Sequence, residues 1–120
     1  MNTELIYSLK PIYANLILNK QKDREFRTVK PKILPKRIWF YISAPESKLM
    51  YLGDVGDFLN ITEKEFAYPI LHFYKIKEPI SLTDLKNKFG FSAPQSFVYL
   101  DKYKELKNYL LNKAILEKIY

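Results

Sequence analysis

The sequence contains no cysteine, one histidine and three glycines among its 120 residues. Without cysteine there are no disulfides and no thiolate metal ligands. His72 alone cannot build an all-protein zinc site, and no acidic cluster has calcium-loop spacing, so neither a metal nor another cofactor is expected. A single histidine also leaves Ser96 without a Ser-His-Asp setting. The glycines, Gly53, Gly56 and Gly90, are isolated, which argues against a glycine-rich phosphate loop. No apolar run reaches the roughly 18 residues of a membrane span. The first residues lack the apolar core of a signal peptide, so the expected location is the cytoplasm.

What is abundant is aromatic and basic. Ten tyrosines and eight phenylalanines sit in a chain that is 48% apolar, enough for one aromatic-rich core and against disorder. The length suits a single domain spanning residues 1–120. The net charge is +7, and residues 20–37 alone carry +6: Lys20, Lys22, Arg24, Arg27, Lys30, Lys32, Lys36 and Arg37 against Asp23 and Glu25. A localised basic stripe is the electrostatic footprint of a polyanion binder, although such a run also serves simply as a solvated face.

The periodicities predict an α+β chain. Glu4 to Leu9 reads as a strand, and Pro11 suits the first turn of a helix with Ile12, Tyr13, Leu16 and Ile17 on its apolar face. Asn19 is placed to end that helix in a left-handed conformation. Strands are expected at Asp23 to Thr28, Arg37 to Ser43, Lys48 to Phe58, Tyr68 to Lys77 and Phe97 to Leu100. Gly53 and Gly56 are expected to mark bulges or bends, and Ile61 to Ala67 a short turn with Thr62 as a cap. Ser81-Leu82-Thr83-Asp84 resembles a capping box, and the helix it opens buries Leu82, Leu85 and Phe89 and stops at Gly90. A final helix is expected from Asp101 to about residue 119, capped by Asp101, with a stripe through Tyr103, Leu106, Leu110 and Ala114. Tight turns between strands favour an antiparallel or mixed sheet that curls into a small barrel.

Four patches then resemble the ASCH domain family of the PUA-like superfamily. They are SLKPIYANLIL, NKQKDREFR, WFYISAPESKLMYLGDVGDF and EPISLTDLKNKFGFSAPQSFVYL, which together cover most of residues 7–100. The resemblance implies a small, mostly antiparallel PUA-like β-barrel with flanking helices and a cleft that binds RNA or a nucleotide. It also implies, for one branch, an amidohydrolase that deacetylates N4-acetylcytidine. Lys22, Glu25 and Arg27 match the family's Gly-x-Lys-x-x-Glu-x-Arg element; Ser43 and Pro45 match its Ser-Pro turn; Gln95, Ser96 and Tyr99 match its closing motif. This chain departs at Lys20, where the family has glycine, at Asp23, where a threonine is common, and at Glu25, where the amidohydrolase branch has threonine. A later glutamate of that branch has no assigned counterpart.

On their own chemistry, Glu25 and Arg27 share one face of a strand, and Lys22 joins them from the preceding loop. Lys and Arg suit phosphate, and a carboxylate suits a base amino group such as cytosine N4. The same three residues also suit a surface ion pair or, with Lys22 and Glu25 as the catalytic groups, an enzyme. The expected ligand-binding residues are Lys10, Lys22, Glu25, Arg27, Ser43, Gln95, Ser96 and Tyr99. Nucleic-acid backbone contacts are expected at Lys20, Arg24, Lys30, Lys32, Lys36 and Arg37. Phe40 and Ile42 are expected inward; alternation allows Trp39 and Tyr41 to lie outward or at the cleft mouth, with an aromatic core or partner contact as the favoured reading, and His72 is expected half-buried and structural. The leading reading is a non-catalytic, RNA- or nucleotide-binding domain, with DNA as an alternative polyanion and no membrane partner. The alternatives are an amidohydrolase acting on N4-acylated cytidine and a protein-interaction module of a virus or mobile element; under each reading the chain is open to being a monomer or a homodimer.

Overall fold

The computed structural model describes residues 3–120. Strand β1 (Glu4–Leu9) leads through helix α1 (Pro11–Leu18) to β2 (Arg24–Arg27). A proline-bearing loop then enters β3 (Arg37–Ile42), β4 (Lys48–Val55) and the short β5 (Leu59–Asn60). The long β6 (Phe66–Ser81) runs directly into α2 (Leu82–Phe89). Strand β7 (Phe97–Tyr99), a 3-10 turn, α3 (Lys104–Asn112) and β8 (Leu116–Lys118) complete the chain. The strands form one mixed sheet in the order β2-β6-β4-β3-β1-β7, with β5 and β8 also paired to β6. Only β1 and β3 run parallel; the remaining pairs are antiparallel.

The sheet is covered on both faces. One face gathers Leu5, Tyr7, Leu9, Phe40 and Phe73 against Ala14 and Ile17 of α1. The other gathers Ile6, Trp39, Tyr41 and Leu52 against Leu85 of α2 and Leu106 and Leu110 of α3. Double coverage explains why Arg37 to Ile42 is an almost unbroken apolar run rather than an alternating one. It also decides the two readings of Trp39 and Tyr41 in favour of the core, although Tyr41 still borders a cleft. Both are buried, and the Trp39 indole N–H donates to Glu4 Oε1 at 2.8 Å.

Curling brings the sheet's two ends together. Tyr7 of β1 and Tyr68 of β6 are separated in the sheet by two intervening strands, yet their ring centroids lie 6.2 Å apart. No backbone ladder joins β2 to β1 or β7, so the barrel is open along one seam.

Several boundaries differ from the sequence reading. The buried residues of α1 are Ala14 and Ile17, whereas Ile12 and Tyr13 are exposed. Asn19 has an ordinary φ, and it is Lys20 that takes the left-handed conformation (φ 60°). Strand β6 extends past both expected ends, because Pro69 sits near one end of the strand and Pro79 in the irregular stretch beside a register shift, places where a missing N–H is tolerated. Gly53 lies at no register shift; an added Cβ there would meet the Phe40 ring at 3.2 Å, so the glycine makes room for that ring. Thr62 caps a tight turn, its Oγ1 accepting from the Lys64 and Glu65 amides, and Phe66 and Ala67 already belong to β6. Ser81 and Gly90 act as expected: Ser81 Oγ accepts from the Asp84 amide, and Gly90 ends α2 at φ 65°.

The largest correction concerns the C-terminal segment. A helix to residue 119 is replaced by one ending at Asn112, after which the chain forms β8 on the free edge of β6. Asp101 does not cap α3; it pairs with Lys107. Ile115, Leu116 and Ile119 fit poorly on the stripe of Leu106 and Leu110, and residues 115–119 are captured by ladder bonds with Phe73 and Lys77. Tyr120 then stacks on Phe73 at 5.8 Å and donates from its hydroxyl to the Ile17 carbonyl at 2.9 Å.

Lys20 occupies a conformation that costs an L-residue with a Cβ about 1–2 kcal/mol. Its ammonium, 4.6 Å from the Tyr120 ring centre, returns only part of that. Lys20→Gly is therefore expected to stabilise the fold by about 0.5–1 kcal/mol, read as a raised urea midpoint at unchanged slope. A lowered midpoint would show that the ring contact outweighs the backbone strain.

Candidate functional site

The seam is where the charged motif lies. The left-handed turn at Lys20 folds the chain back, and the Lys22 amide donates to the Leu16 carbonyl at 3.0 Å. Lys22 is thereby held beside α1 just before β2 begins. Alternation in β2 then sends Glu25 and Arg27 inward and Phe26 outward.

Glu25, 4% exposed, is the buried charged residue among the described residues. Its Oε2 accepts from Lys22 Nζ at 3.2 Å, and its Oε1 lies 3.3 Å from Arg27 Nε. The second contact is a close charge pairing without hydrogen-bond geometry, since Arg27 Nε has no bonded partner. Arg27 Nη2 donates instead to the Ser8 carbonyl at 3.0 Å, and the guanidinium lies over the Tyr7 ring, 4.0 Å from its centre. Arg27 thus bridges β2 to β1 across the open side of the barrel. A carboxylate this deep is costly unless compensated, and two cations flank it.

Beneath this pair lie the phenols of Tyr7 and Tyr68. Burial pushes both upward from the ordinary tyrosine value, and for Tyr7 the neighbouring Tyr68 adds to the shift. Both are therefore neutral hydroxyls at physiological pH, and neither meets a protein partner in hydrogen-bond geometry.

Above them opens a cleft of about 670 Å³. Its walls come from the end of β1 (Ser8, Leu9, Lys10), from Tyr13 of α1, from Glu25, Phe26 and Arg27 of β2, from residues 41–47 with Leu82, and from the 93–95 loop. A hydrogen bond from Ser8 Oγ to the Pro94 carbonyl, and one of 3.1 Å from the Ser8 amide to the Ser96 carbonyl, hold that loop against β1. Tyr13 and Phe26 stand at the cleft with rings 44% and 43% exposed, and Lys22 Nζ lies 5.0 and 5.5 Å from their centres. A second hollow of about 350 Å³ adjoins the first, sharing Phe26, Arg27 and Gln95 with it.

Of the residues expected to bind ligand, Lys10, Glu25, Arg27, Ser43 and Gln95 line the cleft. Lys22 reaches its edge through Glu25, and Ser96 lines the adjoining hollow. Tyr99 does not join them. It shares a strand face with Phe97, packs edge-on to that ring, and its hydroxyl accepts from the Ile33 amide at 3.3 Å.

The basic stripe is thinner in space than in sequence. Arg24 pairs with Asp23 at 2.9 Å and Lys36 with Asp57 at 3.5 Å. Arg37 lies between Glu4 and Asp54, at 3.8 and 3.6 Å. Lys20, Lys30 and Lys32 have no acidic partner among the described residues, and Lys30 Nζ sits 3.9 Å over the Phe58 ring. His72 is exposed on β6 rather than half-buried, and lies away from the cleft lining.

Sequence reasoning did not single out Ser8, Tyr13, Phe26 or the Pro94 carbonyl as parts of the site. Phe26 carried a usable signal, being an aromatic residue at an outward strand position between two inward charges. Ser8 carried none, because its hydroxyl, amide and carbonyl all act through partners distant in the sequence.

An open, curled mixed sheet with three helices and a charged cleft at its seam is a fold this chain shares with solved ASCH proteins. The solved structures that share it come from Zymomonas mobilis. The ASCH protein of that organism superposes with a TM-score of 0.77 at 24% identity over 93% of this chain and 96% of that one. A tyrosine-to-phenylalanine variant of it gives 0.76 over 93% and 99%, and a serine-to-alanine variant 0.74 over 93% and 96%. At this identity the likeness establishes the fold. No family model and no curated protein matches the sequence.

Removing the buried carboxylate leaves two cations facing each other at the seam. Glu25→Ala is expected to lower unfolding free energy by about 2–4 kcal/mol, and Glu25→Gln by less because the amide still accepts a hydrogen bond. Denaturant titration of both variants checks this, and equal, near-zero effects would mean that Glu25 does not hold the seam.

Proposed function

We propose that this chain is an ASCH-type domain that binds RNA or a nucleotide non-covalently in the seam cleft. The carrying observation is the cleft mouth, where the Lys22 ammonium lies beside the half-exposed rings of Tyr13 and Phe26. Exposed rings give every base a stacking surface, and an adjacent cation gives its phosphate a partner. Lys10 on the same wall adds a second charge, and Gln95, Ser43 and Ser47 offer hydrogen-bonding groups to a base edge. The inward charges support the same role. Arg27 is occupied by Glu25 and the Ser8 carbonyl, which fixes the wall, while Lys10 lines the cleft and Lys22, paired with Glu25, keeps further N–H donors at its edge. Lys20, Lys30 and Lys32 are the stripe residues left to meet a longer backbone. The likeness to the Zymomonas mobilis protein supports the fold assignment on which this rests.

Affinity for single-stranded RNA is expected to fall steeply with salt, since each neutralised phosphate releases counterions. Titrations of single-stranded RNA, duplex RNA and DNA at two salt concentrations, repeated with Lys22→Ala, measure it. The variant is expected to bind more weakly by roughly five- to tenfold, about 1–1.4 kcal/mol for one lost charge-assisted contact. No binding to any of the three at low salt would sink the reading.

The 3.2 Å contact between Lys22 and Glu25 beside a nucleoside-sized cleft supports a second reading, an amidohydrolase acting on N4-acylated cytidine. It predicts release of acetate from N4-acetylcytidine by the purified protein, abolished in Lys22→Ala. An inactive preparation that still binds nucleotide would exclude it.

A further inference from the structure

We propose that the site takes a single-stranded ligand of at least two nucleotides, one on each side of Phe26, rather than a free nucleoside. The inference rests on the binding reading given above and specifies its ligand. The cleft of about 670 Å³ and the hollow of about 350 Å³ are contiguous, sharing Phe26, Arg27 and Gln95. Each falls within the roughly 300–1,000 Å³ typical of sites for small organic groups.

Phe26 lines both of them, so its ring borders the space between. The residue is 43% exposed. Lys22 Nζ lies 5.5 Å from its ring centre. A solvent-facing ring between two hollows offers a stacking surface to a base on either side. The second hollow carries a complement suited to a base edge: the hydroxyls of Thr28 and Ser96, the carboxylate of Glu65, and the apolar side chain of Val29.

The charge distribution follows the same line. Arg27 borders both hollows but is held by Glu25 and the Ser8 carbonyl, whereas the Lys22 ammonium gives one of its three N–H donors to Glu25 and keeps the others for a phosphodiester joining two nucleotides. A free nucleoside brings no phosphate to that ridge and leaves the second hollow to water.

The test is calorimetric titration with cytidine monophosphate and with the cytidine di- and trinucleotides, each carrying one terminal phosphate, at one ionic strength. Affinity is expected to rise roughly five- to a hundredfold from one to two nucleotides, the range an added stacked base commands, and by much less from two to three. Val29→Trp, at an exposed position where the fold tolerates a larger side chain, fills the second hollow and is expected to erase most of the advantage of the dinucleotide over the mononucleotide. Circular dichroism of that variant verifies its folding, and the neutral Val29→Met serves in its place if it does not fold. Equal affinity for one and two nucleotides overturns the proposal and leaves the binding reading intact. So does a smooth rise with length that the substitution does not alter, which identifies the basic stripe as the source. Absence of binding to all three at low salt sinks both.

Discussion

Arg27 crosses the one gap that the backbone leaves open. A curled sheet closes into a barrel by a ladder or stays open along a seam, and here no ladder joins β2 to β1. The guanidinium spans that gap, donating to the Ser8 carbonyl while its face covers the Tyr7 ring. It carries a charge into a half-buried place, and Glu25 is buried beside it to answer that charge. Lys22 in turn offsets what would otherwise be a deep carboxylate. Each member of this chain of contacts is there because the previous one needs a partner, and the seam is therefore fixed by side chains rather than by β pairing.

That arrangement explains why the cleft is where it is. A ladder at the seam would draw the strands to the usual spacing of about 5 Å and leave no room for a ligand. A side-chain bridge keeps the strand ends apart, and the gap widens into the cleft bounded by Lys10, Tyr13 and the 93–95 loop. The two apolar layers keep the walls from moving. One is tied to the seam through Tyr7 and Tyr68, and the other braces β3 through Trp39 and Tyr41 under α2 and α3. The site is thus a rigid gap in a well-packed shell, built from element ends rather than from a long loop.

The strand β1, the strand of Arg37 to Ile42, the capped helix α2 and the shared strand face of Glu25 and Arg27 were all legible, because each depends on local pattern or on residues two or three apart. What was not legible depends on distant partners. Alternation alone left Trp39 and Tyr41 between an outward and a core position, and only the packing of α2 and α3 shows that both faces are covered. The C-terminal helix was overextended because β8 exists only where β6 offers a free edge. Tyr99 was placed in the site by its motif neighbours, yet its parity on β7 turns it the same way as Phe97. The basic stripe looked continuous because sequence does not show Asp57, Asp54 and Glu4 arriving beside Lys36 and Arg37.

The position where the family pattern has glycine shows how a departure in sequence acquires a physical meaning. Glycine there matches a backbone that must turn left-handed, and Lys20 makes the same turn at φ 60°. The turn is required because Lys22 must return to Leu16 before β2 begins, and without that return its ammonium would not meet Glu25. Strain at Lys20 and burial of Glu25 are thus two local costs of one construction, placed within six residues of each other and offset by the two cores elsewhere. Costs of this kind gathered at a single edge are what the binding role proposed for that edge would require.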